Sequence, residues 1–163
     1  MPTPTYELIS EQVLGSAASS VTFSNIPQTY KDLVVEYTGT TTTSADDIML
    51  RINGDSTSNY SRTYVVGNGS TASSGRNSNY VGMIPVLYAS ASTISVGSFS
   101  IMSYSSTSVY KTMLSRFGSS DIHSAAEVAL WPSTAAVSTL AFTPRTVASF
   151  AAGGVFRLYG IVG

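Results

Sequence analysis

The sequence predicts an all-β fold, an antiparallel, jelly-roll-like β-sandwich that forms a single domain. Apolar residues recur with the period of strands rather than that of helices. Short runs of Val, Ile, Thr, Tyr and Phe alternate with clusters of Gly, Ser, Asn and Pro, which is the pattern of short strands joined by turns. Since no linker or shift in composition divides the 163 residues, we expect a short extension over residues 1–5 and one sandwich domain over residues 6–163.

The predicted strands run the length of the chain, and alternation within them assigns a buried face. In one of them, Ile48, Leu50 and Ile52 point the same way. The strands cover residues 6–13, 20–23, 33–40, 48–52, 60–66, 80–84, 93–102, 111–117, 127–131, 138–143 and 155–161.

The last predicted strand and Trp131 supply the candidate core residues. Phe156 and Leu158 point to one face of that strand, and Tyr159 and Ile161 point to the other. Apolar residues on both faces indicate a strand that is covered on both sides. We therefore expect all of these side chains to lie in the core.

Turn signals separate the strands. The pairs Asn53-Gly54 and Asn68-Gly69 mark tight reversals, because Asn and Gly adopt positive φ readily. Residues 70–75, rich in Ser and Gly, indicate a flexible surface loop. A turn of helix is expected only within residues 44–48 and 120–126.

Charge is sparse and balanced. Eight Lys and Arg stand against nine Asp and Glu, and charged residues make up 10% of the chain, against a usual share of about a quarter. The basic residues are scattered, whereas nucleic-acid binders cluster them, so we expect no nucleic-acid partner. Ser and Thr make up roughly thirty per cent of the chain. This composition suits a surface that other subunits cover, or an ordinary hydroxyl-rich β-surface.

Composition also limits the classes of site and compartment. The absence of cysteine excludes disulfides, zinc ribbons and thiol nucleophiles. No segment reaches the roughly eighteen apolar residues of a membrane span, and residues 1–5 lack the features of a secretory signal. We therefore expect synthesis in a cytoplasm and no membrane partner.

Few residues offer chemistry. Ser119, Asp121 and His123 include every triad residue type, but triad members normally converge from separate, rigidly held segments. Asp46 and Asp47 could enter a loose calcium site, although they lack the EF-hand spacing, and an Asp-capped turn is the alternative. We predict no catalytic residue, no metal, no cofactor and no enzymatic activity.

Candidate interaction residues lie in the turns and in the tyrosine-rich central part of the chain. Ten tyrosines against one tryptophan favour contacts with other molecules, because Tyr combines contact area with a polar tip. These side chains could bind glycans, or they could pack within the sandwich or on a neighbouring subunit. The candidates are Asn53, Asp55, Tyr60, Asn68, Arg76 and Tyr80.

Short segments spread over nearly the whole chain form a combined pattern. They are Tyr6-Glu-Leu-Ile-Ser10, Gly15-Ser-Ala-Ala-Ser-Ser-Val-Thr-Phe23, Ile26-Pro-Gln-Thr-Tyr30-Lys-Asp-Leu-Val34, Leu50-Arg-Ile-Asn-Gly-Asp55, Asn59-Tyr-Ser61, Tyr110-Lys-Thr112, Leu130-Trp131 and Phe156-Arg-Leu-Tyr-Gly-Ile161. The pattern resembles a group of small virion proteins of tailed bacteriophages, which occur as head decoration (cement) proteins and as modules of fibres and tailspikes.

The resemblance implies a non-enzymatic jelly-roll-like sandwich that assembles as a homo-oligomer, namely a trimer. Because the chain is almost nothing but this module, it also implies a decoration protein. Such a protein is made in the bacterial host cytoplasm and binds the major capsid protein lattice at the capsid surface, through many contacts that add avidity. Two alternatives remain. One is a fibre or tailspike module whose loops 53–59 and 67–79 bind host surface glycans, and the other is a polysaccharide hydrolase.

Overall fold

The structure, a computed structural model, describes residues 5–43, 46–89, 91–119, 123–146 and 149–163. Within these ranges the regular secondary structure consists of strands. They are β1 (Tyr6–Val13), β2 (Val21–Phe23), β3 (Asp32–Gly39), β4 (Asp46–Ile52), β5 (Tyr60–Gly67), β6 (Ala72–Tyr80), β7 (Met83–Ala89), β8 (Ser95–Ile101), β9 (Lys111–Ser119), β10 (Ser124–Trp131), β11 (Leu140–Pro144) and β12 (Val155–Ile161).

The strands form two antiparallel sheets that pack face to face. The larger sheet has eight strands in the order β1-β12-β3-β8-β9-β10-β5-β6, and the smaller has four in the order β2-β11-β4-β7. Neighbours in these orders are antiparallel throughout. This architecture confirms the predicted fold class, an antiparallel, jelly-roll-like β-sandwich.

The core lies between the inner faces of the two sheets and is centred on aromatic side chains. The ring centroids of Tyr37 and Phe156 are 4.7 Å apart, and those of Phe150 and Phe156 are 5.0 Å apart. Aromatic pairs at such distances stabilise a fold by ~0.5–1.5 kcal/mol beyond their buried area. The predicted alternation in β4 is confirmed, because Ile48, Leu50 and Ile52 are all buried.

Three parts of the secondary-structure prediction were wrong. The single strand predicted over residues 80–84 spans the end of β6 and the start of β7. Residues 72–80 form β6, although we expected a loop there followed by the start of a strand. The Ser, Gly and Asn residues of β6 have little preference for strands, and pairing with β5 orders them. The expected helical turns are absent where the structure describes them, since residues 46–48 belong to β4 and residues 124–126 to β10. Residues 44–45 and 120–122 lie outside the described residues.

The candidate core residues divide between two faces of the eight-stranded sheet. Trp131, Phe156 and Leu158 are buried on the inner face. Tyr159 and Ile161 differ from the prediction, because they are only half-buried on the outer face of β12. The four-stranded sheet covers one face of its partner, so apolar residues on both sides of β12 do not mean burial on both sides.

The Asn53-Gly54 reversal is confirmed. Asn53 has a φ of 52° and Gly54 a φ of 72°, and the Asp55 N–H donates to the Ile52 carbonyl oxygen at 2.9 Å. This tight turn carries the chain from β4 in the small sheet towards β5 in the large one. It therefore lies at one end of the sandwich, beside Trp131, the last residue of β10.

Candidate functional site

The Asn53 side chain, predicted to contact a partner molecule, is used by the fold itself. Its Oδ1 accepts hydrogen bonds from the backbone N–H groups of Ser138 at 2.9 Å and Thr139 at 3.1 Å. Its Nδ2 donates to the Ala136 carbonyl oxygen at 2.7 Å. The amide thereby ties the β4–β5 turn to the segment that leads into β11, and it has little capacity left for a ligand.

Asp55 and Tyr60 also belong to an internal cluster. Trp131 Nε1 donates to Asp55 Oδ2 at 2.7 Å, and Thr57 donates to Asp55 Oδ1 from its hydroxyl at 2.6 Å and its N–H at 2.8 Å. Hydrogen bonds from Thr57 and Trp131 lower the pKa of Asp55 from 3.8 to about 2, although burial opposes them. Tyr60 differs from the prediction, because it is fully buried and stacks on Trp131 with centroids 6.4 Å apart.

The remaining interaction candidates lie on and beside β6. Asn68 Oδ1 accepts from the N–H groups of Ser70 at 3.0 Å and Thr71 at 2.8 Å, so it closes the β5–β6 hairpin. Tyr80 is half-buried, and its ring lies within cation–π distance of two guanidinium groups. Arg76 is exposed in the middle of β6. The six candidates therefore do not converge on one site, and Arg76 alone keeps a charged group directed to solvent.

The candidate chemical groups do not assemble a catalytic or metal site in the described part of the chain. Asp47 pairs with Arg145 at 3.0 Å, at the opposite end of β4 from Asp55. No group of three or more acidic or histidine side chains converges among the described residues. Asp121 lies outside those residues, and the His123 carbonyl oxygen accepts the Ser119 N–H at 2.9 Å in the β9–β10 connection. No described helix has the length and apolarity to cross a membrane.

Sequence reasoning missed a buried ion pair on the inner face of the large sheet. Arg62 Nη1 lies 3.1 Å from Glu127 Oε2, and both side chains are almost completely buried. Arg62 Nε also donates to Asn77 Oδ1 at 3.2 Å, whereas Glu127 Oε1 finds no hydrogen-bond partner within the described part of the chain. Burial raises the pKa of Glu127 from 4.5 to about 8, and Arg62 opposes this only in part. The cluster is internal, so we assign it to the fold rather than to a ligand.

Lys111 is a second buried charge that the sequence did not reveal. Its Nζ donates to the carbonyl oxygens of Ser106 at 2.7 Å, Val109 at 2.8 Å and Thr134 at 3.3 Å. Burial lowers the pKa of this ammonium group. Three backbone acceptors satisfy the three donors of the ammonium group, so Lys111 fastens two loops together at the start of β9.

The outer face of the eight-stranded sheet carries two ordered rows of side chains. We call the first the charged row, because acidic and basic residues alternate at its β1 end. Arg157 Nε donates to Glu11 Oε2 at 2.5 Å within this row. From β1 to β6 the row is Glu11, Arg157, Glu36, Ser98, Arg116, Ala126, Val65 and Ser74.

We call the second row the apolar row, because large apolar side chains in it are exposed to solvent. Leu8 is 51% exposed, Leu114 44% and Val128 47%. From β1 to β6 the row is Leu8, Tyr159, Val34, Ser100, Leu114, Val128, Thr63 and Arg76. Large contiguous patches of exposed apolar side chains often mark interaction surfaces.

An open groove of about 790 Å³ follows the two rows across the sheet. Its walls include Val34, Leu114 and Val128 from the apolar row, and Glu36 and Arg116 from the charged row. Arg116 forms no ion pair with any residue that the structure describes. The groove therefore places apolar contact area beside the Arg116 guanidinium, whose charge is unpaired among the described residues.

One signal in the sequence could have pointed to this face. In β9, Met113 and Phe117 occupy the inner face, while Leu114 occupies the outer face together with Arg116. Apolar residues at outward positions of several neighbouring strands depart from the apolar-in, polar-out alternation that a sheet with one solvent-facing side commonly shows. The rows themselves depend on strand order and register, which the sequence alone does not provide.

Comparison with known proteins assigns no family. No family model matches the chain, and no curated protein matches it. Among solved structures, a galectin of Caenorhabditis elegans has 13% identity and a TM-score of 0.33, over 94% of this chain and 96% of that one. A protein of unknown function from Shewanella oneidensis MR-1 has 9% identity and a TM-score of 0.26, over 98% and 77%. The marine PL-14 alginate lyase from Aplysia kurodai has 9% identity and a TM-score of 0.27, over 96% and 81%. Values this low assign no activity.

Proposed function

We propose that the chain is a structural protein of a tailed-bacteriophage particle, a head decoration (cement) protein that binds the major capsid protein lattice and assembles with copies of itself. The sequence pattern that resembles small phage virion proteins motivates this proposal. The trimer that this resemblance implies is part of it, as is a location on the capsid surface.

The observation that carries the proposal is the exposed outer face of the eight-stranded sheet. Leu8, Leu114 and Val128 of the apolar row, together with Val65 of the charged row, leave large apolar side chains in water on one continuous face. A protein that works as a free monomer gains nothing from such a face and risks aggregation. A subunit that is covered by neighbours in a particle gains binding energy from it.

The low charge supports the same proposal. Only 10% of the residues are charged, and Ser98, Ser100 and Thr63 supply hydroxyls to the outer rows in place of charges. Hydroxyl groups find partners at an interface and cost less to desolvate than ions. Many modest contacts of this kind, made by several copies at once, would hold a shell through avidity rather than through one strong site.

The glycan-binding alternative is less well supported. The side chains that were expected to bind a sugar include Asn53 and Asp55, whose polar atoms are occupied by Ser138, Thr139 and Trp131. Tyr60 is fully buried. A fibre or tailspike module remains the alternative structural role, because it would use the same sandwich and the same exposed face.

The proposal is tested by adding the purified full-length protein to heads of the parent phage. We expect it to sediment with expanded heads but not with compact precursor shells. The double variant Leu114→Ser and Val128→Ser should bind expanded heads at least tenfold more weakly, because it removes apolar contact area from the groove. Val109→Ser is the control, since Val109 is 46% exposed but lies outside the strands, in the connection between β8 and β9.

Three other results would change the proposal in different ways. Failure of the wild-type protein to bind any form of the head would remove the decoration role. Equal binding by the double variant and by the control would leave the role intact but would remove the outer face from the interface. Binding of the protein to purified fibres instead of heads would favour the fibre module.

A further inference from the structure

The two sheets together have four edge strands, and three of them carry features that block pairing with another strand. β2 has only three residues. β7 contains Pro85 and shifts its register twice against β4. β1 has a bulge between Leu8 and Ser10 and carries Glu7 and Glu11. Short length, proline, bulges and charge are the usual means by which proteins protect a sheet edge.

The fourth edge strand, β6, lacks this protection over most of its length. From Ala72 to Asn77 its register with β5 is regular, and the irregularity lies beyond, between the Tyr60–Tyr80 and Arg62–Asn77 pairs. This stretch contains no proline and one charged residue, Arg76. Within the described residues, no backbone hydrogen bond reaches its open side. Every second residue therefore presents an unpaired N–H and carbonyl group to solvent.

The side chains of this stretch suit close approach by another strand. Ala72, Ser73 and Ser74 are small and exposed. A Cβ at Gly75 would lie 2.6 Å from the Tyr64 hydroxyl oxygen, so the Tyr64 ring would have to move to admit a larger residue. A strand of Ser, Gly and Asn has little intrinsic tendency to stay extended, so a second partner would stabilise β6 more than it would a Val- or Ile-rich strand.

We propose that β6 pairs, antiparallel, with β6 of a second copy of this chain about a twofold axis, joining two eight-stranded sheets edge to edge. Strand addition at an open sheet edge is a common mode of protein association. A twofold axis at Ser74 sets Ala72 opposite Arg76 of the partner strand, so the two Arg76 side chains do not face each other. The inference rests on the proposal that copies of the chain associate. A twofold contact joins two copies only and cannot close a trimer, so β6 pairing would link copies that belong to two different trimers.

Cysteine substitution tests this contact directly, because the chain has no cysteine of its own. Ser73→Cys, Ser74→Cys and Asn77→Cys are oxidised mildly as full-length, folded proteins, and disulfide-linked dimers are measured on a denaturing gel. In twofold pairing, the residue nearest the axis faces its own copy. With the axis at Ser74, Ser74→Cys should therefore cross-link faster than Ser73→Cys and Asn77→Cys. It should also cross-link at least tenfold faster than Thr22→Cys, the control on the exposed side of the short edge strand β2.

A mixture of variants separates the twofold contact from a head-to-tail ring. In a ring, β6 of one copy would meet β1 of the next, so β6 cysteines alone would not cross-link. Mixing Ser74→Cys with Val13→Cys, on the β1 edge, would then give the dimers instead. That result, or cross-linking no faster than the Thr22→Cys control, would overturn the twofold pairing.

A charge variant gives a second readout on the native protein. Ser74→Lys places two ammonium groups near the axis, so the mass measured by light scattering should fall relative to the wild type. Thr22→Lys on β2 should leave the mass unchanged. Since binding to expanded heads is measured separately, an unchanged mass for Ser74→Lys with head binding retained would sink this inference and leave the proposed function standing.

Discussion

The two faces of the eight-stranded sheet are built from the same strands but differ in burial. On the inner face of β9, Met113 and Phe117 are buried against the small sheet. On the outer face of the same strand, Leu114 and Arg116 are exposed, and Arg116 has no ion-pair partner among the described residues. The comparison teaches that alternation along a strand shows to which face each side chain points. Whether that face is buried depends on whether another sheet packs against it.

The largest expected effect separates the two faces within one strand, β12. Phe156→Ala should lower the free energy of unfolding by ~3–5 kcal/mol, because it leaves a cavity among Tyr37, Phe142 and Phe150. Tyr159→Ala, on the half-exposed outer face, should cost less than half as much. Urea denaturation of both variants measures the difference, and equal losses would show that the outer face is as structural as the inner one.

The next effect concerns the polar cluster at the end of the inner face. Asp55→Ala should lower the free energy of unfolding at neutral pH by ~1–3 kcal/mol, because it leaves the Trp131 N–H buried without its acceptor. The pKa of Asp55 is about 2 when folded and 3.8 ordinarily, so its contribution is complete above pH 4 and is lost as the pH falls through 2. Thermal melts from pH 2 to pH 7 should show this dependence in the wild type and less of it in the variant.

Glu127 should show the opposite dependence on pH. Its pKa is about 8 when folded and 4.5 ordinarily, so the folded protein holds the proton more tightly. Stability should therefore fall as the pH rises from 5 to 8, by roughly 1–2 kcal/mol once the opposing charge of Arg62 is considered. Glu127→Gln should flatten this part of the profile, as measured by urea denaturation at each pH. A variant with the same slope as the wild type would contradict the assignment.

The smallest effect on stability should come from the apolar row. Leu114→Ser with Val128→Ser should change the free energy of unfolding by only ~0.5 kcal/mol, since both side chains are half exposed in the single chain. The measurement is made at protein concentrations low enough to keep every sample monomeric, because association would itself stabilise the fold. A loss comparable to that of Phe156→Ala would place these residues in the core and not at an interface.

The alternation of apolar and polar residues predicted most strands of the sandwich. Particular residues explain where this prediction failed. The buried face of β4 follows directly from Ile48, Leu50 and Ile52. β6 was missed because Ser, Gly and Asn carry no strand signal and are ordered only by β5. Tyr60 was named as an interaction candidate because Tyr combines contact area with a polar tip, yet its ring fills the core.

The cluster around Asp55 and the two rows of the outer face both depend on contacts that are distant in sequence. Asp55 meets Trp131 76 positions away, and Glu11 meets Arg157 146 positions away. In the sequence, Asp55 and Glu11 each look like an ordinary acidic residue of a protein surface. Strand order, which brings β1 beside β12 and β10 beside β5, turns scattered residues into the charged and apolar rows. No local pattern in one sequence contains that information.

A three-dimensional map of the whole particle tests the central claim most directly, namely that other subunits cover the outer face of the eight-stranded sheet. The account predicts density for this sandwich on the head, with another polypeptide packed against Leu114, Val128 and Arg116. A particle in which that face is open to solvent, or which lacks the chain altogether, would contradict it.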